Sequence, residues 1–233
     1  AKIRAVTSGH MPFLRQLGPD DADALLALAR RRRIRRNETI LRAGAAGDEV
    51  VIVLDGRVKL TAYGADRREV VIALRGPGEL LGEMAALGGQ RRTATAVAVD
   101  DAEVGFLHAD ELRDFLHDHP DAALVMIRML VRRLSEATRD VVDLATRDSV
   151  GRIAKRLLEL AAEHGAPTSS GAAGVRIELS LSQDELARWT GATRETVSRA
   201  LRLMRQLGWV ATDHRTVTVL DAAALRERVG ETL

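Results

Sequence analysis

The spacing of apolar and polar positions changes period along the chain, and each change marks a different kind of element. Residues 20–30 carry a helical spacing, with Leu25, Leu26 and Leu28 on the inward side. From residue 38 the period falls to two. Short apolar runs at 50–54, 57–63, 70–74, 93–99 and 103–108 are separated by turn residues at Asp55 and Gly56, at 64–66, at Gly76, Pro77 and Gly78, and at Asp100 and Asp101. Many short strands at this spacing predict a small antiparallel barrel or sandwich, with the Asp55–Gly56 pair as a hairpin turn.

Helical period returns near residue 110, and Pro120 punctuates it. Over 121–147, Leu124, Ile127, Val131, Leu134, Thr138, Val141 and Ala145 recur at alternating intervals of three and four, a heptad seam. A lone helix gains nothing from so narrow a seam, whereas a second copy does, so the pattern predicts a parallel homodimer. The alternative is an ordinary core helix packed on the barrel. A second helix follows over 150–163, then a loop rich in Gly, Ala, Pro, Ser and Thr over 165–174 and a short strand over 175–181.

The segment 182–205 has the pattern of two crossed helices. Ser182 and Glu185 form a capping box, Gly191 supplies a tight turn, and Thr193 caps the second helix. Leu186, Val197, Leu201 and Met204 face inward. Arg194, Glu195, Ser198 and Arg199 line the outward start of the second helix, where recognition helices meet base edges. Arg can bond guanine O6 and N7 together, and Glu can accept from cytosine N4. A solvated Arg/Glu face is the bland alternative. Two further strands, 209–212 and 216–220, would form a wing around 213–215.

The pattern gives an α+β chain. Its expected divisions are an N-terminal segment, 1–11, that an expression vector could equally have supplied; a jelly-roll-like antiparallel β-barrel effector domain, 12–120; a dimerisation helix, 121–147; and a winged helix-turn-helix, 148–233.

Composition narrows the chemistry. The 233 residues are 46% hydrophobic but only 3% aromatic, which gives a sizeable core and no stacking platform for single strands. There is no cysteine, so disulfides, thiolate catalysis and iron–sulfur clusters are excluded. No apolar run is long enough to span a bilayer, and residues 1–10 lack the core of a secretion signal, so a cytoplasmic location and no membrane partner are expected. Net charge is only +2 and almost every base is Arg, so the run Arg30, Arg31, Arg32 and Arg33 reads as solvated surface. His117 and His119 are the one close histidine pair and read as a helix end, with no metal. No nucleophile–base pair, phosphate-loop pattern or metal triad supports an enzyme.

The recognition segment 191–201, GATRETVSRAL, resembles that of the cyclic-AMP receptor protein/FNR family. The resemblance runs from about Pro12 onward. It implies that Arg194, Glu195 and Arg199 contact bases in a TGTGA-like half-site of an inverted repeat. It also implies that Thr193 and the wing residue Arg215 touch phosphates, and that the DNA bends.

Upstream, the stretch 82–95, GEMAALGGQRRTAT, looks like the phosphate-binding cassette of cyclic-nucleotide domains. Arg92 can pair with a cyclic phosphate, the Thr93 hydroxyl can bond its other oxygen, Glu83 can accept from the ribose 2′-hydroxyl, and Gly82 lets backbone approach the sugar. Arg133 matches a family arginine near the ligand and could pair with Glu83. Thr138 matches one of two hydroxyl positions that meet the adenine, while the neighbouring position is Ala137. The resemblance therefore implies cyclic AMP as effector, with cyclic GMP open, no cofactor, and duplex DNA, a second copy of the chain and RNA polymerase as partners. A family regulator with a different effector, haem-borne or metabolic, or with none, is the alternative.

Overall fold

A computed structural model describes residues 11–64, 68–168, 174–177, 182–213 and 216–230. Arg215 and much of the turn at 64–66 lie outside the described residues, as do 178–181 of the expected strand. The chain divides into two compact units, one ending at Leu134 and one beginning at Ser135.

The first unit opens with two helices, α1 (Phe13–Gln16) and α2 (Pro19–Leu28). Leu25 is buried, but Leu28 is exposed, because the helix ends there and the chain turns into a strand. Eight strands follow: β1 (Arg30–Ile34), β2 (Thr39–Leu41), β3 (Glu49–Asp55), β4 (Val58–Tyr63), β5 (Glu69–Arg75), β6 (Leu80–Leu81), β7 (Thr95–Ala98) and β8 (Ala102–His108). A short helix, α3 (Glu83–Gly88), interrupts them, and α4 (Ala109–Asp118) and α5 (Pro120–Thr146) close the run.

The strands form two open four-stranded antiparallel sheets, ordered β1-β8-β3-β6 and β2-β7-β4-β5; of the barrel or sandwich that the spacing allowed, no closed barrel is seen among the described residues. The Asp55–Gly56 turn is not a hairpin, because β3 and β4 lie in different sheets. It is a crossing point at which Gly56 holds φ +79 and a Cβ would lie 2.7 Å from the Asp101 carbonyl. The hairpin of the region is instead β4 with β5.

Period two explains how one strand serves two cores. On β3, Val51 and Val53 pack with Ile34, Leu41, Val58, Leu81 and Val104, while Val50 and Ile52 pack with Phe13, Leu25, Leu107, Leu112, Phe115 and Met129. The helices thus cover one face of the first sheet. On α5, Ala122, Val125, Met126 and Met129 fill that core. Leu124, Ile127, Val131, Leu134 and Val141 are all half or more exposed. The helix therefore carries two apolar stripes, and the heptad seam is the one that the single chain leaves bare.

The second unit contains α6 (Ser149–His164), α7 (Gln183–Thr190), α8 (Arg194–Gln206) and α9 (Ala222–Val229). They pack with a sheet of β9 (Gly165–Pro167), β10 (Val175–Ile177), β11 (Val210–Asp213) and β12 (Thr216–Val219), ordered β11-β12-β10-β9. Asp148 caps α6 by accepting from the Gly151 N–H at 2.8 Å and pairs with Arg228 of α9 at 2.5 Å.

The Gly151 N–H bond, partly opposed by burial and aided by Arg228, lowers the Asp148 carboxyl below its ordinary value. A carboxylate lowered on folding stabilises the native state fully above the unfolded value of about 3.9, and that share is lost as pH falls through the lower folded value. Asp148→Ala is expected to cost about 1 kcal/mol near neutral pH. Urea titrations across the acid range should show the gap between variant and wild type closing below that value; a pH-independent gap would contradict the assignment.

Candidate functional site

The first candidate site lies where β6 runs into α3. Gly82 adopts φ +81, a left-handed turn that only glycine enters cheaply, and it starts α3 directly at Glu83. Leu80 and Leu81 are fully buried on either side of the sheet, so the turn is held from below. Glu83 is therefore carried inward and is only 3% exposed.

Two arginines, Arg92 buried and Arg133 part-buried, face this turn in different electrostatic settings. Arg133, from α5, donates to Glu83 Oε1 at 2.6 Å, to Glu79 Oε2 at 3.0 Å and to the Leu80 carbonyl at 2.8 Å. Burial alone would lower the Arg133 pKa, but the Glu83 and Glu79 carboxylates overcome it and raise the value. This arginine is neutralised and fixed. Glu79 is 5% exposed and completes the arrangement, yet sequence reasoning missed it. Its only signal was an acid placed between a Gly-Pro-Gly turn and two leucines, where a solvated charge makes no sense.

Arg92 is 7% exposed. Its backbone is clamped by the 42–48 loop: its N–H donates to the Ala45 carbonyl at 3.0 Å, and its carbonyl accepts from Gly44 at 2.8 Å. Nη2 donates to the Glu49 carbonyl at 2.7 Å, and the nearest carboxylate oxygen, on exposed Asp48, is 3.7 Å away. Nη1 is buried with no hydrogen-bond partner. A Cβ at Gly82 would lie 2.5 Å from that nitrogen. Burial lowers the Arg92 pKa, and Asp48 and Glu49 only partly oppose it. Buried polar atoms in folded proteins are almost always bonded, so an orphan guanidinium N–H marks a place for an acceptor. Thr93, next in sequence, is exposed.

Thr138 belongs to the second unit and lies on the exposed side of α5. His117 is exposed, and His119 bonds Asp21 at 2.7 Å and stacks on Phe115. No group of three or more metal-binding side chains occurs among the described residues.

The second candidate site is the α7–α8 pair. Ser182 and Glu185 make the reciprocal capping box, and Gly191 turns at φ +61. The Thr193 hydroxyl accepts from the Thr196 N–H at 3.2 Å and caps α8. Val197, Leu201 and Met204 are buried along one side of α8, so Arg194, Glu195 and Arg199 are exposed on the other and Ser198 lies at its edge. Arg194 comes within 3.8 Å of Asp184. Glu195 is held below the ordinary carboxyl value by its own backbone N–H and the Thr193 hydroxyl, with Arg194 and Arg199 adding attraction. The face thus presents two guanidinium groups beside one fixed carboxylate.

Comparison with known proteins matches two domain families along the chain. Residues 31–119 match the cyclic nucleotide-binding domain family, and residues 151–228 match the Crp-like helix-turn-helix domain family. The chain is 33% identical over 193 residues to the CRP-like cAMP-activated global transcriptional regulator of Mycobacterium tuberculosis, covering 83% of this chain and 85% of that protein. It is 32% identical over 216 residues to the cyclic AMP receptor protein of Thermus thermophilus, covering 93% and 95%. The solved structure of the c-di-GMP responsive global regulator CLP of Xanthomonas campestris matches at 26% identity and a TM-score of 0.77, over 88% of this chain and 100% of that one. No helix among the described residues is long and apolar enough to cross a membrane. The chain therefore belongs to the cyclic-AMP receptor protein/FNR family of transcription regulators, joining a cyclic nucleotide-binding domain to a DNA-binding helix-turn-helix.

Proposed function

We propose that the protein is a homodimeric regulator whose binding to an inverted-repeat, TGTGA-like site is controlled by a cyclic nucleotide, cyclic AMP first. The observation that carries this reading is the buried, unpartnered Nη1 of Arg92 beside the glycine turn at Gly82. A cyclic phosphate supplies the single negative charge and the acceptor oxygens that such a nitrogen lacks. Thr93 would bond a second phosphate oxygen at the rim. Glu83, oriented by Arg133, would take the ribose hydroxyl, and Thr138 would meet the base. The relatives in Mycobacterium tuberculosis and Thermus thermophilus, whose names refer to cyclic AMP, support that choice of ligand.

The bare stripe Leu124, Ile127, Val131, Leu134 and Val141 supports a parallel helix pair, because one seam buried against its own copy removes all of these side chains from water. Paired chains present two α8 helices, which fits a two-fold symmetric site. Arg194, Glu195 and Arg199 would read bases, with Ser198 beside them, and Thr193 and Arg215 would hold phosphates. RNA polymerase is the expected partner of the DNA-bound dimer.

Two observations favour a second reading with another effector. Ala137 stands next to Thr138 where a second hydroxyl would help select adenine, and the Xanthomonas campestris relative is a c-di-GMP responsive regulator. Calorimetry with cyclic AMP, cyclic GMP and c-di-GMP separates the two.

Arg92→Gln is expected to weaken cyclic-nucleotide binding by about a hundredfold or more, since it leaves the phosphate charge unpaired in a buried site. Equal affinity of variant and wild type by calorimetry would remove Arg92 from the site. Arg194→Ala is expected to lose about 1–3 kcal/mol of discrimination against a changed guanine in the half-site. A binding series on duplexes altered one base pair at a time reads this directly, and an unaltered preference would exclude the base contact.

A further inference from the structure

The corner between α5 and α6 is tied down more heavily than a helix junction requires. Arg147 and Lys155 both pair with Asp143, and Arg228 of α9 holds the Asp148 cap. These bonds fix α5 to α6 and α6 to α9. One side chain reaches further. Arg152, on the first turn of α6, donates from Nε to the Thr190 carbonyl at 2.8 Å and from Nη1 to the Arg147 carbonyl at 2.7 Å.

Both acceptors are carbonyls at helix C-termini. Arg147 follows the last residue of α5, and Thr190 is the last residue of α7. Such carbonyls lack intrahelical partners and carry the negative end of the helix dipole. A planar guanidinium can satisfy two of them at once in a fixed geometry, and a lysine cannot. Thr190 is itself buried and leads directly into the Gly191 turn and the Thr193 cap of α8. A Cβ at Gly191 would lie 3.3 Å from Leu144 Cδ1, so the end of α5 abuts the same turn. Arg156 makes a looser parallel tie, 3.8 Å from Asp140 of α5 and over the Trp189 ring of α7 at 4.8 Å.

We infer that Arg152 is the positioning residue that locks the turn preceding the recognition helix to the end of α5. Its regulatory consequence rests on the function proposed above, in which α5 is the helix that senses the effector. An effector-driven change in α5 then reaches α8 through this fork, and a chain without the fork binds effector but transmits less.

The chain allows a direct test, because its 233 residues include no cysteine. Cysteines placed at exposed Arg139 of α5 and Arg202 of α8, carrying nitroxide labels and diluted with unlabelled protein, report one α5–α8 distance by pulsed electron resonance. Arg152→Gln and Arg152→Lys should both broaden the distance distribution, the lysine variant showing that the fork and not the charge is needed. In unlabelled protein, cyclic-AMP affinity should stay within about twofold, while the effector-induced gain in DNA affinity falls by about fivefold or more. An unchanged distribution in both variants overturns the positioning role. A broadened distribution with an unchanged effector-induced gain overturns its regulatory consequence. If wild-type DNA affinity responds to no cyclic nucleotide, the effector reading fails, and the distance measurement still decides the role of Arg152.

Discussion

A part-buried guanidinium set between two buried carboxylates organises the turn at Gly82. Arg133 joins α5 to Glu79 before β6 and to Glu83 at the start of α3, and it takes the Leu80 carbonyl between them. Losing one partner of a buried charged group costs up to roughly 3–5 kcal/mol, because the charge left behind is poorly solvated. The arrangement therefore fixes the helix, the glycine turn and the acid as one piece. It also consumes the available negative charge. Arg92, across the turn, is left with the Glu49 carbonyl and a distant, exposed Asp48. The contrast between a satisfied arginine and an unsatisfied one is what the proposed anion site rests on.

The helix-turn-helix depends on local bonding more than on charge. Ser182, Gly191 and Thr193 each settle one helix end, and the buried row on α8 then leaves Arg194, Glu195 and Arg199 no face but the outer one. Glu195 stays ionised because backbone, hydroxyl and neighbouring arginines all favour the charged form. In the function proposed above, this face would be preset before any DNA arrives, and regulation would act on where two such faces stand.

The sequence made the periodic parts legible. Five of the strands in the first unit, the long helix and the two crossed helices follow from spacing and caps alone. The heptad seam stood out because its side chains repeat without regard to the core of the first unit, and those side chains are exposed in the single chain. Strand β1 escaped notice because four consecutive arginines hide any alternation; it is held by pairing with β8 and by ion pairs such as Arg31 with Glu103. The crossing at Gly56 escaped because a glycine turn reads the same whether it closes a hairpin or carries the chain across to another sheet. In the site, Arg92 and Glu83 were legible through the cassette pattern. Glu79 and the Arg152 fork were not, since each draws its meaning from a partner distant in sequence.

Central to this account is that occupancy near Arg92 governs what α8 does on DNA. Titration of the protein against a TGTGA inverted-repeat duplex, at one stated salt concentration, with and without cyclic AMP, measures this most directly. The account predicts at least about a fivefold tighter complex with the nucleotide, and loss of that gain in Arg92→Gln. Equal affinity with and without nucleotide in the wild type, or a gain that survives Arg92→Gln, would contradict it.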